Sequence, residues 1–142
     1  MSKIDYYVVT GSGDSARQQF ACRLAEKAYR HKNRVHILLD SDAAAHNLDE
    51  LLWTFRDGSF VPHDFIEPGS AEPGAPVTIG VAAPVRQEVD LLINLTDAIP
   101  EDVASFPRVA EIVTSDEESK ARSRAHFATY RDAGHSLDTH NL

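Results

Sequence analysis

Short apolar runs alternate along this chain with longer segments in which apolar residues recur at helical spacing. The short runs are rich in β-branched and aromatic residues, a composition that is typical of buried strands. They occupy residues 4–9, 34–39, 77–81, 90–95 and 109–113. The fourth run, DLLINL, is nearly continuous in apolar residues, which indicates a parallel strand covered on both faces.

Three helices are predicted between these strands, because apolar residues recur there every three or four positions with charges between them. They cover residues 15–31 and 42–53 and a last segment that ends near residue 133. Asp14 or Ser15 is the expected N-cap of the first helix. Ser115 and Glu118 form a capping box that opens the last helix, and Gly134 is its expected C′ residue.

Other stretches are predicted to lack regular structure. Pro and Gly residues punctuate the chain from Pro62 to Pro76, which indicates an exposed loop. Residues 98–106 are expected to form a short connection or a helical turn, and the polar tail 135–142 is expected to be extended. The alternation of strands and helices with short turns implies a mainly parallel sheet covered by helices. We therefore expect a single three-layer α/β domain over residues 1–142.

Composition narrows the class of protein. A chain of 142 residues with 42% hydrophobic residues is long enough for one domain with its own core. It has no apolar run of about 18 residues, so no membrane span is expected. The single cysteine, Cys22, excludes an internal disulfide, and the first residues enter a strand pattern without a signal peptide. We therefore expect a cytoplasmic protein.

Net charge argues against a nucleic-acid-binding protein. The chain has 14 Lys and Arg residues against 22 Asp and Glu residues, which gives a formal charge of -8. A compact protein of this sign repels a phosphate backbone unless its basic residues are segregated into a patch. Direct binding of nucleic acid is therefore not expected.

The motifs that carry catalytic chemistry are missing from the sequence. Gly11 and Gly13 stand where a phosphate-binding loop would lie, but Arg17 takes the place of the third glycine and no Gly-Lys-Ser/Thr follows. A tight turn is favoured over a nucleotide site. The seven histidines are dispersed without metal-ligand spacing, and no Ser lies in a G-x-S-x-G turn. We expect no cofactor, no metal and no catalytic residue.

The segment Leu48–Phe65 holds the single Trp and three of the six Phe residues. It begins as a helix and ends in a loop with Gly, Pro and His, where bulky aromatic side chains are hard to bury. Exposed Trp and Phe on irregular backbone are common anchors for a protein partner. In the alternative interpretation, Trp53 and Phe55 close the core while Phe60 and Phe65 pin the loop onto it.

The last predicted helix carries a stripe of cations. Lys120, Arg124 and Arg131 lie at positions i, i+4 and i+11. Phe127 lies between them on the same stripe. Such a stripe is often a solvated face whose charges complement the helix dipole. It also fits a pocket for an acidic peptide with an apolar end, because Arg and Lys hold carboxylates while the ring accepts the apolar group.

Several motifs together resemble the chi subunit family of bacterial DNA polymerase III, an accessory of the clamp-loader complex. They are LDELLW at 48–53, SFVPH at 59–63, GAPV at 74–77, DLLINL at 90–95 and YRDAGHSLDT at 130–139. The tyrosine-rich first strand adds to them. The resemblance covers nearly the whole chain, and LDE-x-LW followed shortly by SFVPH is its most specific part. It implies a Rossmann-like α/β domain without a working nucleotide site.

The resemblance also implies a non-catalytic adaptor in DNA replication with two partners. One is the psi subunit, which joins the family to the clamp loader, and a chain that is monomeric alone is expected to form a heterodimer with it. The other is the acidic, Phe-terminated C-terminal tail of single-stranded DNA-binding protein. The implied tail site is Lys120, Arg124, Phe127 and Arg131, and the implied psi-facing surface is Trp53, Phe60, Val61 and Pro62. Phe127 stands where the family commonly has tyrosine, and Ala128 where it commonly has lysine.

Two other classes of function compete with this interpretation. One is a small nucleotide-binding α/β enzyme, against which the missing phosphate-binding residues argue. The other is a single-stranded DNA-binding module that stacks bases on Trp53, Phe55 and Phe60. The net charge of -8 argues against the second, as does the scarcity of cations among these aromatics beyond Arg56.

Overall fold

The structure is a computed structural model that describes residues 2–55, 61–66, 75–81, 89–100 and 103–141, with residues 64–66 described by their backbone alone. The strands are β1 (Lys3–Val8), β2 (Val35–Leu38), β3 (His63–Ile66), β4 (Val77–Gly80), β5 (Leu91–Asn94), β6 (Arg108–Val113) and β7 (Ser136–Asn141). The helices are α1 (Gly13–Arg30), α2 (Asp42–Thr54) and α3 (Glu117–Asp132), and a short 3-10 helix covers Val103–Ser105.

The strands of the described residues form one parallel sheet. The seven strands lie in the order β3-β4-β2-β5-β6-β1-β7, and each neighbouring pair is parallel. Parallel strands need crossover connections, and in chain order α1 stands between β1 and β2, α2 between β2 and β3, and α3 between β6 and β7. The helices α1 and α2 pack on one face of the sheet, and α3 with the 3-10 helix packs on the other. The expected three-layer α/β fold is confirmed.

Two apolar cores, one on each face of the sheet, hold the layers together. On one face Ala25 of α1 and Leu48 of α2 lie in the same core as Ile93 of β5. On the other face Tyr130 of α3 lies in the same core as Ile4 of β1. These five side chains are at most 1% exposed. Burying a large apolar side chain contributes roughly 1.5–3 kcal/mol, so the two cores fix the positions of the helices on the sheet.

Both edge strands lie where no strand was predicted. β3 follows Pro62 inside the predicted loop and pairs with β4, while β7 forms from the predicted extended tail and pairs with β1. An edge strand bonds a neighbour on one side only, so it tolerates nearby proline and a polar composition. In β7, Leu137 packs on the α3 side of the sheet while its neighbours Ser136 and Asp138 are exposed. Hydrophobic patterning therefore gave no sign of either strand.

The N-cap of α1 differs from the prediction. The helix begins at Gly13 after Ser12, rather than after Asp14 or Ser15. Ser12 makes no side-chain capping bond, and the Gly13 N–H instead donates to the Asp116 carboxylate at 3.3 Å. A distant residue thus supplies the cap, which no local sequence pattern reveals.

The N-cap of α3 also differs, by one residue. Asp116 caps the helix by accepting a hydrogen bond from the Ser119 N–H at 3.2 Å, so the predicted capping box of Ser115 and Glu118 is wrong. A carboxylate at this position favours the positive end of the helix dipole. The other end follows the prediction, since Gly134 adopts a φ of 89° just beyond the helix.

Candidate interaction sites

The helix α3 and the strands beneath it enclose a shallow cavity of about 320 Å³. Lys120, Arg124 and Phe127 lie on its helix side, because positions i, i+4 and i+7 share one face of α3. The residues that complete the lining are Tyr6, Val8, Val113, Ser123 and Thr139. Two cations therefore lie beside a floor that is mainly apolar.

The charged and the apolar side chains of this α3 cavity have different environments. Arg124 is exposed and Lys120 is half-buried, and neither has an ion-pair partner among the described residues. Phe127 is half-buried, and its ring centroid lies 5.5 Å from that of Tyr6. The arrangement offers two donors for carboxylates above a surface that accepts an apolar group.

Arg131, the fourth residue of the predicted tail site, is not among the residues that line the α3 cavity. It lies one turn beyond Phe127, and its Nε donates to Asp132 Oδ1 at 3.3 Å with both side chains exposed. The structure therefore brings together three of the four predicted residues and leaves Arg131 at the end of the helix.

A buried carboxylate lies under α3. Glu111 on β6 is 6% exposed and accepts hydrogen bonds from the Tyr130 hydroxyl at 2.6 Å and from Asn94 Nδ2 at 2.9 Å. Burial raises the pKa of Glu111 to about 7, although both hydrogen bonds act in the opposite direction. Because Tyr130 belongs to α3 and Glu111 to the sheet, their bond fixes the helix that carries Lys120 and Arg124.

An exposed aromatic ring marks the end of α2. Trp53 is 53% exposed, so the interpretation that it closes the core is wrong. Its ring centroid lies 4.5 Å from that of His63, which is buried. His63 Nε2 lies 3.1 Å from Asp49 Oδ1, and its Nδ1 lies 2.7 Å from the Val61 carbonyl oxygen. His63 thus connects α2 to the start of β3 and supports the indole from behind.

The other residues of the predicted psi-facing surface have different environments. The Val61 side chain is 1% exposed and packs in the core with α1 and α2, so it is not available at the surface. Pro62 is half-buried. Phe60 lies outside the described residues. Phe55 is half-buried against the same core as Val61. The described part of this surface therefore consists of Trp53 with Pro62.

The glycine turn after β1 is closed to a phosphate. A Cβ atom at Gly11 would lie 2.7 Å from the Ala16 Cβ, which explains the glycine by close packing. The Asp116 carboxylate occupies the helix N-terminus that a phosphate would need. The hydrogen bond from the Thr114 hydroxyl, followed by that from the Gly13 N–H, lowers the pKa of Asp116 to about 2. A second anion here would meet a fixed negative charge.

The remaining reactive side chains are scattered or buried. Among the described residues, no three His, Cys, Asp or Glu side chains are grouped as a metal site requires. Cys22 is buried, and that burial raises the pKa of its thiol to about 12. In the same part of the chain, no helix has the length and apolar character needed to cross a membrane.

Sequence reasoning missed the floor of the α3 cavity. Tyr6 and Val8 of β1 point to the α3 side because alternate residues of a strand share a face. Thr139 joins them through the register of β7, in which it pairs with Tyr6. The alternation within β1 is visible in the sequence, whereas the pairing of β7 is not.

Comparison with known proteins places the chain in a family. A family model described as DNA polymerase III chi subunit, HolC, matches residues 1–138. A DNA polymerase III subunit chi of Pseudomonas aeruginosa is 40% identical over 142 residues, which is 100% of this chain and 98% of that protein. The subunit of the same name from Escherichia coli K12 is 34% identical over 133 residues, 92% of this chain and 88% of that protein. That from Haemophilus influenzae is 31% identical over 138 residues, 96% of this chain and 95% of that protein.

A solved structure, that of T4 UvsW, shares the fold. It superimposes with a TM-score of 0.72 over 99% of this chain at 9% sequence identity. This chain spans 41% of the UvsW chain. The likeness therefore concerns the α/β architecture alone.

Proposed function

This chain belongs to the DNA polymerase III chi subunit family, and we propose that it serves there as a non-catalytic adaptor between two protein partners. One partner is the psi subunit, through which it joins the clamp loader. The other is the acidic, Phe-terminated C-terminal tail of single-stranded DNA-binding protein. The adaptor acts in the cytoplasm, is monomeric alone and is heterodimeric with psi.

The α3 cavity is the observation that carries the tail assignment. Lys120 and Arg124 are free of ion pairs within the described residues and lie beside an apolar floor that includes Phe127. A tail that ends in phenylalanine brings a ring and a terminal carboxylate on the same residue. The ring matches the floor, and the carboxylates match the two cations through charge-assisted hydrogen bonds.

Trp53 supports the psi assignment. A ring that is 53% exposed on a helix end leaves apolar area in contact with water, and covering it with a partner recovers that free energy. His63 and Asp49 hold the surroundings of the ring before binding, so little conformational entropy is lost when the partner docks. Pro62 and Phe60 belong to the same proposed surface.

The two sites lie on different elements and suit a tether. The tail site lies on α3, on one face of the sheet, whereas Trp53 lies on α2, which packs on the other face. Both partners can therefore bind at the same time. Since many tails are displayed along one coated strand, a weak contact at each tail still raises the local concentration of the polymerase assembly.

Isothermal calorimetry with an acidic, Phe-terminated peptide tests the tail site. Arg124→Ala removes a charge-assisted contact, which is worth about 1.5–3 kcal/mol, so we expect peptide binding to fall below detection. Arg131→Ala is the matched control, because Arg131 lies outside the cavity, and we expect it to bind nearly as well as the parent chain. Unchanged peptide affinity in Arg124→Ala would refute the assignment.

A further inference from the structure

Basic residues are segregated on one end of this acidic protein. Two neighbouring cavities of about 600 and 430 Å³ share Asn33 and lie around the C-terminal half of α1. Their lining contains Arg23, Lys27, Arg30, Lys32, Arg34 and Arg108. These six residues are drawn from the 14 Lys and Arg of a chain whose net charge is -8. Asp90 also lines the larger cavity and Arg30 lies 3.8 Å from Glu26, yet cations predominate in the described lining, which forms a local basic patch of the kind that a phosphate backbone requires.

Aromatic rings form a row beside these cations, on the α1 side of the sheet. The Tyr7 ring stacks on the His140 imidazole, with centroids 4.8 Å apart and an interplanar angle of 16°. Phe20 of α1 continues the row, with its centroid 5.3 Å from that of Tyr7. All three rings are half-buried, and both Tyr7 and Phe20 line the larger cavity. Rings next to cations are what a single strand needs for its bases and its phosphates.

The cations nearest the rings are available for a ligand. Arg23 and Lys27 are exposed and have no ion-pair partner among the described residues. Arg108 contacts the buried Asp5 at 2.8 Å, yet its side chain remains 51% exposed. Lys27 also lies where a cation balances the dipole of α1, but Arg23 lies a turn earlier and Arg108 belongs to a strand, so the dipole does not explain the cluster.

We propose that this ring-and-cation surface, defined by Tyr7, Phe20, Arg23, Lys27, Arg108 and His140, is a weak binding site for single-stranded nucleic acid. The cations contact phosphates and the rings contact bases, without reading their sequence. The surface lies on the α1 side of the sheet, whereas the α3 cavity lies on the other side. A strand and a protein tail can therefore bind together, and the overall negative charge keeps the affinity for the strand low.

Fluorescence anisotropy with labelled oligo(dT), and separately with oligo(U), tests the proposal on the full chain. We expect saturable binding at low salt. The logarithm of the association constant should fall linearly with the logarithm of salt concentration, with a slope of about -2 for three phosphate contacts on a single strand. Arg23→Glu and Lys27→Glu should each weaken binding roughly fivefold and reduce the slope by about 0.7. Both side chains are exposed, so the fold is expected to survive, and circular dichroism checks that.

Arg131→Glu is the charge-matched control. It changes the net charge by the same amount, but Arg131 lies in the last turn of α3, outside the proposed surface. Phe20→Leu keeps an apolar side chain but removes the ring, and should cost roughly tenfold in affinity. The proposal is overturned if neither oligonucleotide binds at low salt, if Arg131→Glu weakens binding as much as Arg23→Glu does, or if an acidic polypeptide binds this surface in place of the oligonucleotides.

Discussion

The two proposed protein sites differ in how the chain builds them. The α3 cavity combines one helix with three strands, and its recognition groups are two cations beside an apolar floor. The surface at the end of α2 is a single exposed indole supported by His63. The first site therefore depends on charge and on the docking of α3, whereas the second depends on apolar area. This contrast predicts that mutations, pH and salt affect the two sites separately.

The largest effect is expected at the indole. Trp53→Ala should weaken the psi complex by about 3–4 kcal/mol, a few hundred-fold, because Trp is enriched among the residues that contribute most to binding at protein interfaces. Tail-peptide affinity should not change, since α2 and the α3 cavity share no residue. Co-purification of psi with the variant, and calorimetry of each complex, measure the two outcomes. Recovery of psi with Trp53→Ala at the yield of the parent chain would contradict the proposed role of the indole.

The next effect concerns the support of the α3 cavity by Glu111. Burial raises the pKa of Glu111 to about 7 from an ordinary value of 4.5, so the folded chain binds this proton more tightly than the unfolded chain does. Its contribution to stability is therefore fully present below pH 4.5 and is lost as pH rises through 7. The separation of these two pKa values corresponds to a loss of about 3 kcal/mol in the free energy of unfolding across this pH range.

Glu111→Gln isolates this contribution. The amide keeps an oxygen that accepts from Tyr130 and Asn94, but it cannot ionise. We expect the stability of the parent chain, relative to the variant, to fall between pH 5 and 7, as measured by urea unfolding at each pH. The pKa of His126 is lowered first by burial and then by Arg122, causes that the substitution at residue 111 leaves in place, so its contribution is expected to be the same in both proteins. A difference that is independent of pH would contradict the role of Glu111.

Much of the architecture follows from the sequence, because the buried strands and the helices have strong periodicity. The five predicted strands and the three helices are all present, with boundaries that differ by a few residues. The two edge strands were missed because a strand with a neighbour on one side only can form without a run of apolar residues. The contribution of Asp116 to the start of α1 was missed because Asp116 and Gly13 are 103 positions apart in the sequence. Long-range hydrogen bonds leave no local pattern.

The sites were predictable to different degrees. Lys120, Arg124 and Phe127 share a helix face, so spacing alone grouped them. The place of Arg131 was not predictable, since helical phase says nothing about where a cavity ends. Val61 belongs to the same resembling motifs as Trp53 and Pro62. Trp53 is exposed and Pro62 is half-buried, but the Val61 side chain is buried in the core, so a motif alone does not show which of its residues are accessible. A resemblance to a family assigns expected roles to residues, but the packing of the fold decides which of those side chains are exposed.

A smaller effect is expected from the residue that caps both α1 and α3. Asp116→Ala removes acceptors from the N–H groups of Gly13 and Ser119, so the melting temperature should fall by a few degrees and tail affinity should decrease slightly. Psi binding should stay as in the parent chain. The lowered pKa of Asp116, about 2, means that its contribution is present above pH 3.8 and lost as pH falls through 2.

Asp116→Asn is the matched variant for this cap. It keeps a side-chain acceptor without the charge, so it should retain most of the melting temperature at neutral pH and lose the acid-dependent part. Scanning calorimetry at neutral and acidic pH separates the contribution of the hydrogen-bond acceptor from that of the charge. Equal melting temperatures for the parent chain and Asp116→Ala at neutral pH would show that the cap is not needed.

The smallest effect sharpens the contrast between charge and apolar area. Raising salt from about 0.05 to about 0.3 M shortens the screening length, so the contacts of Lys120 and Arg124 with tail carboxylates should weaken roughly threefold. The psi complex, which depends on covering Trp53, should change little, because salt screens charges and leaves apolar burial intact. Calorimetry of both complexes across the same salt series gives the comparison directly. Parallel losses in the two complexes would mean that the α2 surface also binds through charge.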